Sequence, residues 1–171
     1  MLHCFYKHLF HTLLKKLNFG QANFTAGSEF TVFKMDSILF SNLICYESSH
    51  PEVARGFVRN GARFLTIEAN DAWLRNSSGV RQHFELARLR AVELRTGIVR
   101  SANTGISGII YPSGKVEKRI PFGQQAVFKG KVPLRSSMTF FALYGSVFAQ
   151  ICLIITLVQI VWLIKRLNPS S

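Results

Sequence analysis

Cysteine is scarce in this 171-residue chain, which contains Cys4, Cys45 and Cys152. An odd number of cysteines without paired spacing excludes a disulfide framework, and no set of residues has the spacing of a metal site. The sequence therefore predicts neither a bound metal nor a cofactor.

Acidic residues are also few, 9 against 21 lysines and arginines, so the net charge is +12. Such an excess suits nucleic acid or an anionic lipid surface. However, the chain lacks zinc-finger spacing, an aromatic strand of the RNP type and a run of lysines. We therefore expect no nucleic acid partner, and we expect the basic residues to face lipid headgroups.

Charge is absent from residues 136–164. Within this stretch, the roughly 20 residues from Gly145 would form a helix of about 30 Å, the thickness of the bilayer's hydrocarbon core. Tyr144 and Trp162 lie near its ends and Lys165 follows it, as is typical of membrane spans. Residues 136–171 are thus predicted to form a transmembrane helix with a short basic tail. A buried core helix is the alternative.

Residues 1–19 have apolar side chains at helical spacing from Leu2 to Leu17, with lysines and histidines between them. This pattern predicts a basic amphipathic helix. Its charges interrupt any continuous apolar core, so it is not a signal peptide. The helix either packs on its own domain or lies on a bilayer surface.

Residues 20–135 read as one α/β domain. Two predicted strands, 38–44 and 64–69, alternate with predicted helices over 51–60 and 76–95. Further strands are predicted over 98–101, 107–111, 116–120 and 126–132. This order predicts a mixed sheet with helices on one face.

Cys45 ends the first of these apolar strands and is followed by Tyr46 and Glu47. A strand end holds a thiol in place, the turn after it exposes the thiol, and the N–H groups of the turn can face an oxyanion. The pattern therefore suits a nucleophile. A buried thiol in the core is the alternative, because free cysteine is among the most buried residue types.

Polar residues also follow the second strand, where Asn70, Asp71 and Trp73 occur. Ligands of α/β sheets bind at the carboxyl ends of strands, so these residues are candidates for substrate binding. Alternatively, Asn70 and Asp71 cap the turn and Trp73 packs beside the site. His83, within the next predicted helix, is expected to be a hydrogen-bonded interior or capping residue rather than a catalytic partner of Cys45.

Four short motifs occur in order at residues 44–47, 70–73, 82–93 and 103–107. Their sequences begin Ile-Cys-Tyr-Glu, Asn-Asp-Ala-Trp, Gln-His and Asn-Thr-Gly. In this order and spacing the series resembles the C-terminal part of the bacterial apolipoprotein N-acyltransferases, membrane-embedded members of the nitrilase, or carbon-nitrogen hydrolase, superfamily. The resemblance runs from about Gly20 to the C-terminus.

The resemblance implies a partial nitrilase-type α-β-β-α sandwich followed by one C-terminal transmembrane helix. It also implies a location in the bacterial inner membrane, with the domain periplasmic and the tail cytoplasmic. The implied reaction transfers an acyl chain from a phospholipid, through a cysteine thioester, to the N-terminal amine of a diacylated lipoprotein. Cys45 matches the nucleophile, the backbone N–H of Tyr46 matches an oxyanion donor, and Glu47 matches a supporting residue.

The family's base glutamate and its lysine have no match here, because the resemblance covers only the last third of the enzyme. Lys7 reads as a helix-face residue. We expect a longer protein, or a partner chain, to carry the missing half. The alternatives are a catalytically inactive membrane-anchored fragment and a nitrilase-type amide hydrolase.

Overall fold

The computed structural model describes residues 27–75 and 78–167. The amphipathic helix predicted over 1–19 lies outside the described residues. Within them, a mixed sheet with helices precedes a long C-terminal helix, so the predicted α/β fold class is confirmed.

The sheet has six strands in chain order. The central strands β2, β3 and β4 are parallel, whereas β1 pairs antiparallel with β2, and β5 and β6 continue antiparallel from β4. The strands are β1 Phe33–Met35, β2 Ile38–Ile44, β3 Phe64–Ala69, β4 Gly97–Ala102, β5 Ser107–Ile110 and β6 Val116–Ile120. Parallel pairing places the carboxyl ends of β2, β3 and β4 at one edge, where three of the four sequence motifs lie, at 44–47, 70–73 and 103–107.

Two helices, α1 Pro51–Arg59 and α2 Ser78–Leu94, connect the parallel strands. Pro51 occupies the first turn of α1, where its missing N–H costs nothing. Gly61, with φ of +107°, allows the chain to turn back into β3. The apolar sides of both helices share one core with the sheet, which includes Leu43, Leu65, Ile67, Ile98, Val58, Phe84, Ala87 and Leu94.

The face of the sheet opposite the helices is partly covered. The segment after β6 crosses it, with Gly130 against Ile109 and with Val132 and Pro133 against Gly97. The strand predicted over 126–132 is therefore wrong, because this segment forms no regular secondary structure and does not join the sheet. At the other end of this face, Phe33 and Met35 remain about half exposed.

The C-terminal stretch contains two helices. The short α3 Phe140–Tyr144 is capped by the Thr139 hydroxyl, which accepts a hydrogen bond from the Ala142 N–H at 3.0 Å. Gly145, with φ of +72°, separates it from α4 Val147–Leu167. The window Val147–Ile164 is long and apolar enough to cross a membrane, and none of it is buried within the protein.

Candidate active site

Cys45 stands directly after β2, at the start of a 3-10 turn over Cys45–Ser49. Its backbone has φ of +50°, a left-handed conformation that is uncommon for a residue with a side chain. The chain thus bends sharply at the thiol, as strained turns at functional sites do. The side chain is partly exposed, and Sγ lies 3.9 Å from the Asn70 carbonyl oxygen.

The two residues after Cys45 complete the turn. The Glu47 carboxylate accepts a hydrogen bond from the Ile44 N–H at 2.8 Å, which ties the start of the turn to its middle. Tyr46 is exposed and its ring meets His50 edge-on, with centroids 5.0 Å apart. Both side chains therefore lie at the carboxyl edge of the sheet with Cys45.

A pocket of about 160 Å³ lies beside the thiol. Its walls come from the turn, from the segment after β3 and from the first turns of α2. The lining residues are Cys45, Tyr46, Ser49, Trp73, Leu74, Gly79, Gln82, His83 and Leu86. Larger depressions of about 400 and 600 Å³ lie elsewhere on the molecule, and Cys45 lines neither of them.

The three residues predicted to bind substrate have different surroundings. Trp73 is exposed and lines the pocket. The Asn70 side chain accepts a hydrogen bond from the Ala72 N–H at 3.2 Å and so caps the turn after β3. Asp71, in contrast, is completely buried, so the structure places it beneath the site rather than on the pocket wall.

Asp71 belongs to a buried polar network that reaches the main chain of Cys45. One carboxylate oxygen lies 2.7 Å from His83 Nδ1, and the other accepts a hydrogen bond from Arg100 at 2.8 Å. On its far side, His83 Nε2 lies 3.1 Å from the Cys45 carbonyl oxygen and 3.1 Å from Ser48 Oγ. Ser48 Oγ in turn donates to the Cys45 carbonyl at 2.7 Å.

The fourth motif, at residues 103–107, packs against Asp71 and Arg100 of this network. Arg100 Nε donates to the Ile106 carbonyl at 3.1 Å, which holds the loop after β4 in place. Gly105 of that loop touches Asp71 so closely that a Cβ atom there would overlap the carboxylate. Each of the four motifs thus supplies one part of a single assembly, namely Cys45, Asp71, His83 and Gly105.

Burial and charge act in opposite directions on the ionisable groups of this network. Burial by itself would raise the pKa of Asp71, but the hydrogen bond to His83 and the charge of Arg100 outweigh it, so the pKa lies below its ordinary value. Burial lowers the pKa of Arg100, although the neighbouring Asp71 carboxylate opposes this effect. A carboxylate and a guanidinium therefore stabilise each other in the interior.

Sequence reasoning missed Arg100 and Ser48. The signal for Arg100 was its position, because a charged residue in the middle of an otherwise buried strand must find a partner of opposite charge. His83 is buried and hydrogen-bonded, and it also lines the pocket. Among the described residues no group of histidines, cysteines and carboxylates could hold a metal ion.

Comparison with known proteins identifies the family. Residues 7–137 match the carbon-nitrogen hydrolase family. The chain belongs to the carbon-nitrogen hydrolase family. Its curated relatives named apolipoprotein N-acyltransferase include those of Geobacter metallireducens, 38% identical, and Chlorobaculum tepidum, 36% identical, whose matches cover 81% and 82% of this chain. The chain spans only 27% and 28% of the length of those relatives.

Solved structures confirm the carbon-nitrogen hydrolase fold. Nit3 of Saccharomyces cerevisiae, a member of branch 10 of the nitrilase superfamily, has a TM-score of 0.52 at 23% identity, over 59% of this chain and 40% of that one. A carbon-nitrogen hydrolase from Helicobacter pylori has a TM-score of 0.54 at 14% identity, over 60% and 43% of the two chains. The expected resemblance to apolipoprotein N-acyltransferases is confirmed by the curated relatives.

Proposed function

We propose that this chain carries the nucleophile of an apolipoprotein N-acyltransferase, with Cys45 as the residue that accepts the acyl chain. The observation that carries the proposal is the placement of Cys45, with its left-handed backbone conformation, at the carboxyl ends of parallel strands and beside a pocket. The names of the curated relatives support the choice of reaction.

In the first step, the Cys45 thiolate attacks an ester carbonyl of a phospholipid. A sulfur–carbon bond forms, the carbon–oxygen bond to the glycerol breaks, and the glycerol oxygen leaves as the hydroxyl of a lysophospholipid, taking the proton that the thiol gave up to the base. In the second step, the N-terminal amine of a diacylated lipoprotein attacks the thioester. A nitrogen–carbon bond forms, the carbon–sulfur bond breaks, and the amine proton returns to the thiol.

The residues around the thiol have distinct roles in this scheme. The Tyr46 N–H would face the oxyanion of each tetrahedral intermediate, and Glu47 would hold the turn through the Ile44 N–H. The pocket beside Cys45 has walls that include Leu74, Leu86 and Trp73, which suit the carbon chain next to the reacting carbonyl. Asn70 would contribute by shaping the turn that faces Sγ.

A base and a cation are still required, because a thiol with an ordinary pKa of about 8.5 is mostly protonated at neutral pH. The family's glutamate and lysine would come from the remainder of a longer protein or from a partner chain. The donor and acceptor also require access to the bilayer. We propose that α4, which is long and apolar enough to cross a membrane, spans the bacterial inner membrane, with the domain periplasmic and the tail cytoplasmic.

The experiment is to trap the acyl-enzyme. Membranes containing the full chain, alone or with a second chain carrying the remaining length of the Geobacter relative, are incubated with phospholipid labelled in its acyl chains. We expect hydroxylamine-sensitive label on this chain that disappears in Cys45→Ala and persists in the matched control Cys152→Ala.

Label in the chain alone would show that it contains a sufficient site, and label only with the second chain would show that the site is shared. No label in either sample would overturn the acyltransferase proposal. Ammonia release from small amides in the same samples would favour the amide hydrolase, and neither activity would favour the inactive membrane-anchored fragment.

A further inference from the structure

The buried network beneath Cys45 approaches the carbonyl of the nucleophile rather than its sulfur. Both Ser48 Oγ, at 2.7 Å, and His83 Nε2, at 3.1 Å, contact that carbonyl oxygen. His83 is in turn held by Asp71, and Asp71 by Arg100, and all four side chains are buried. This set of contacts, whose side chains are buried, fixes the direction of one peptide group.

That peptide group also contains the N–H of Tyr46. Peptide bonds are planar, and those of the described residues are all trans, so the C=O of Cys45 and the N–H of Tyr46 point in opposite directions. Holding the carbonyl oxygen on the buried side therefore turns the N–H away from the network. Hydrogen bonds accepted by the carbonyl also polarise the peptide, which strengthens its N–H as a donor.

We propose that His83, supported by Asp71 and Arg100, is a positioning residue that orients the Cys45–Tyr46 peptide so that the Tyr46 N–H faces the oxyanion. This inference rests on the proposed function, because it assigns a role to groups behind the same nucleophile. His83 does not act on the thiol as a base in this arrangement, since its Nε2 is directed at the carbonyl oxygen and at Ser48.

The left-handed backbone conformation of Cys45 explains why a buried hydrogen-bond network is needed beneath it. A non-glycine residue with φ of +50° adopts an unfavourable backbone conformation, which the surrounding contacts must maintain. The network provides two contacts to the carbonyl from one side, and Glu47 provides one to the preceding N–H. Without the network, we expect the peptide to rotate toward a more common conformation.

The test compares two reactions of the same thiol. An activated ester, p-nitrophenyl acetate, acylates cysteine through a tetrahedral oxyanion, whereas iodoacetamide alkylates it by direct displacement without one. The ratio of the two rates at Cys45 cancels changes in thiol exposure and ionisation, so it reports on oxyanion stabilisation. The measurement uses the full chain in detergent micelles, with Cys4→Ser and Cys152→Ser present in every sample.

We expect His83→Leu to lower the acylation-to-alkylation ratio at least about tenfold, because loss of one oxyanion donor typically costs 100-fold or more and misorientation costs part of that. His83→Gln, whose amide N–H can reach the same carbonyl, should recover most of the ratio. Ser48→Ala should lower it by a smaller factor. The matched control is Arg81→Gln, an exposed change two residues away on the same helix, which should leave the ratio unchanged.

An unchanged ratio in folded His83→Leu would overturn the proposal, as would equal losses in both rates, which indicate a merely structural role. If His83→Leu does not fold, an unchanged ratio in Ser48→Ala overturns it instead. A wild-type ratio equal to that of a free cysteine peptide would also do so. Because the probe is a small ester, failure of phospholipid transfer would count against the proposed function and not against this role of His83.

Discussion

At the scale of single residues, Asp71 connects the site to the interior. Its two carboxylate oxygens contact His83 and Arg100, and the side chain is completely buried. Removing one partner of a buried ion pair leaves the other charge uncompensated, which costs about 3–5 kcal/mol. Asp71 therefore stabilises the fold and, through His83, the turn that carries Cys45.

Asp71→Asn should accordingly lower the free energy of unfolding by about 3 kcal/mol at pH 7. The folded-state pKa of Asp71 is lowered, so its stabilisation is present above the ordinary value of 3.8 and is lost as the pH falls through the lowered pKa. The difference between wild type and variant should thus shrink below about pH 4. Denaturant titrations of the full chain in detergent, at several pH values, measure it; a difference that stays constant down to pH 2 would contradict this account.

A substitution at Gly105 would disturb the same network, because Gly105 packs against the Asp71 side chain. A methyl group at this position would overlap the Asp71 carboxylate, so the loop after β4 or the network must shift. We expect Gly105→Ala to destabilise the protein by about 2 kcal/mol, as overpacking does. The matched control is Gly27→Ala, where a Cβ atom would meet nothing within 4 Å.

The effects of substituting Asp71 and Gly105 on the free energy of unfolding should be strongly non-additive, because the two residues are in contact. In an Asp71→Ala background the overlap with the carboxylate is removed, although the Cβ of residue 71 would still lie 2.8 Å from the new methyl carbon, so Gly105→Ala should then cost about 1 kcal/mol less than in the wild type. Equal costs in both backgrounds, measured by the same denaturant titration, would show that the glycine is needed for another reason.

At the scale of secondary-structure elements, α4 has the composition of a membrane span and lies outside the protein core. A lysine at the centre of such a helix costs about 2.5–3.5 kcal/mol of insertion free energy, whereas one near the end can reach the interface. We expect Ile155→Lys to shift the chain from the carbonate-resistant membrane fraction to the extract. Phe148→Lys, one residue from the start of α4, is the control and should stay in the membrane.

The strands and helices of the domain were largely predictable because their periodicity is local. The strand over 64–69 and the helix starting at Pro51 agree with the structure to within a residue or so. The segment 126–132 has the composition of a strand, yet it crosses the face of the sheet instead of pairing at its edge. Composition indicates an extended backbone, but which neighbour it contacts depends on the rest of the fold.

At the scale of the whole molecule, the helix-free face of the sheet is unevenly covered. At β1 this face presents Phe33 and Met35, which are 47% and 50% exposed. Both lie on the same side of the sheet as Phe40. Apolar faces of this kind mark surfaces that bind another part of a protein. The solved relatives are more than twice as long as the matched region, so the remaining part of such a domain is the occupant we propose.

Phe33→Asp should therefore weaken association with a chain carrying the remaining length of the Geobacter relative. Burying a phenylalanine is worth about 1.5–3 kcal/mol, so the dissociation constant should rise at least tenfold. Lys34→Asp places an aspartate on the opposite side of the same strand and changes the net charge more than Phe33→Asp does, yet it should change the constant much less. Titration of purified chains in detergent provides the measurement, and equal effects of the two variants would argue against this face as the contact surface.

The sequence by itself determined the α/β order of elements, the apolar C-terminal helix, the family resemblance and the position of Cys45 at a strand end. These follow from local periodicity, composition and motif spacing. The tertiary structure decided that Asp71 is buried rather than in the pocket, and that Arg100 and His83 join it in a network that reaches the Cys45 carbonyl. The reason is that a buried charge depends on partners far apart in the chain: Asp71 and Arg100 are 29 residues apart and meet only when β3 and β4 pair.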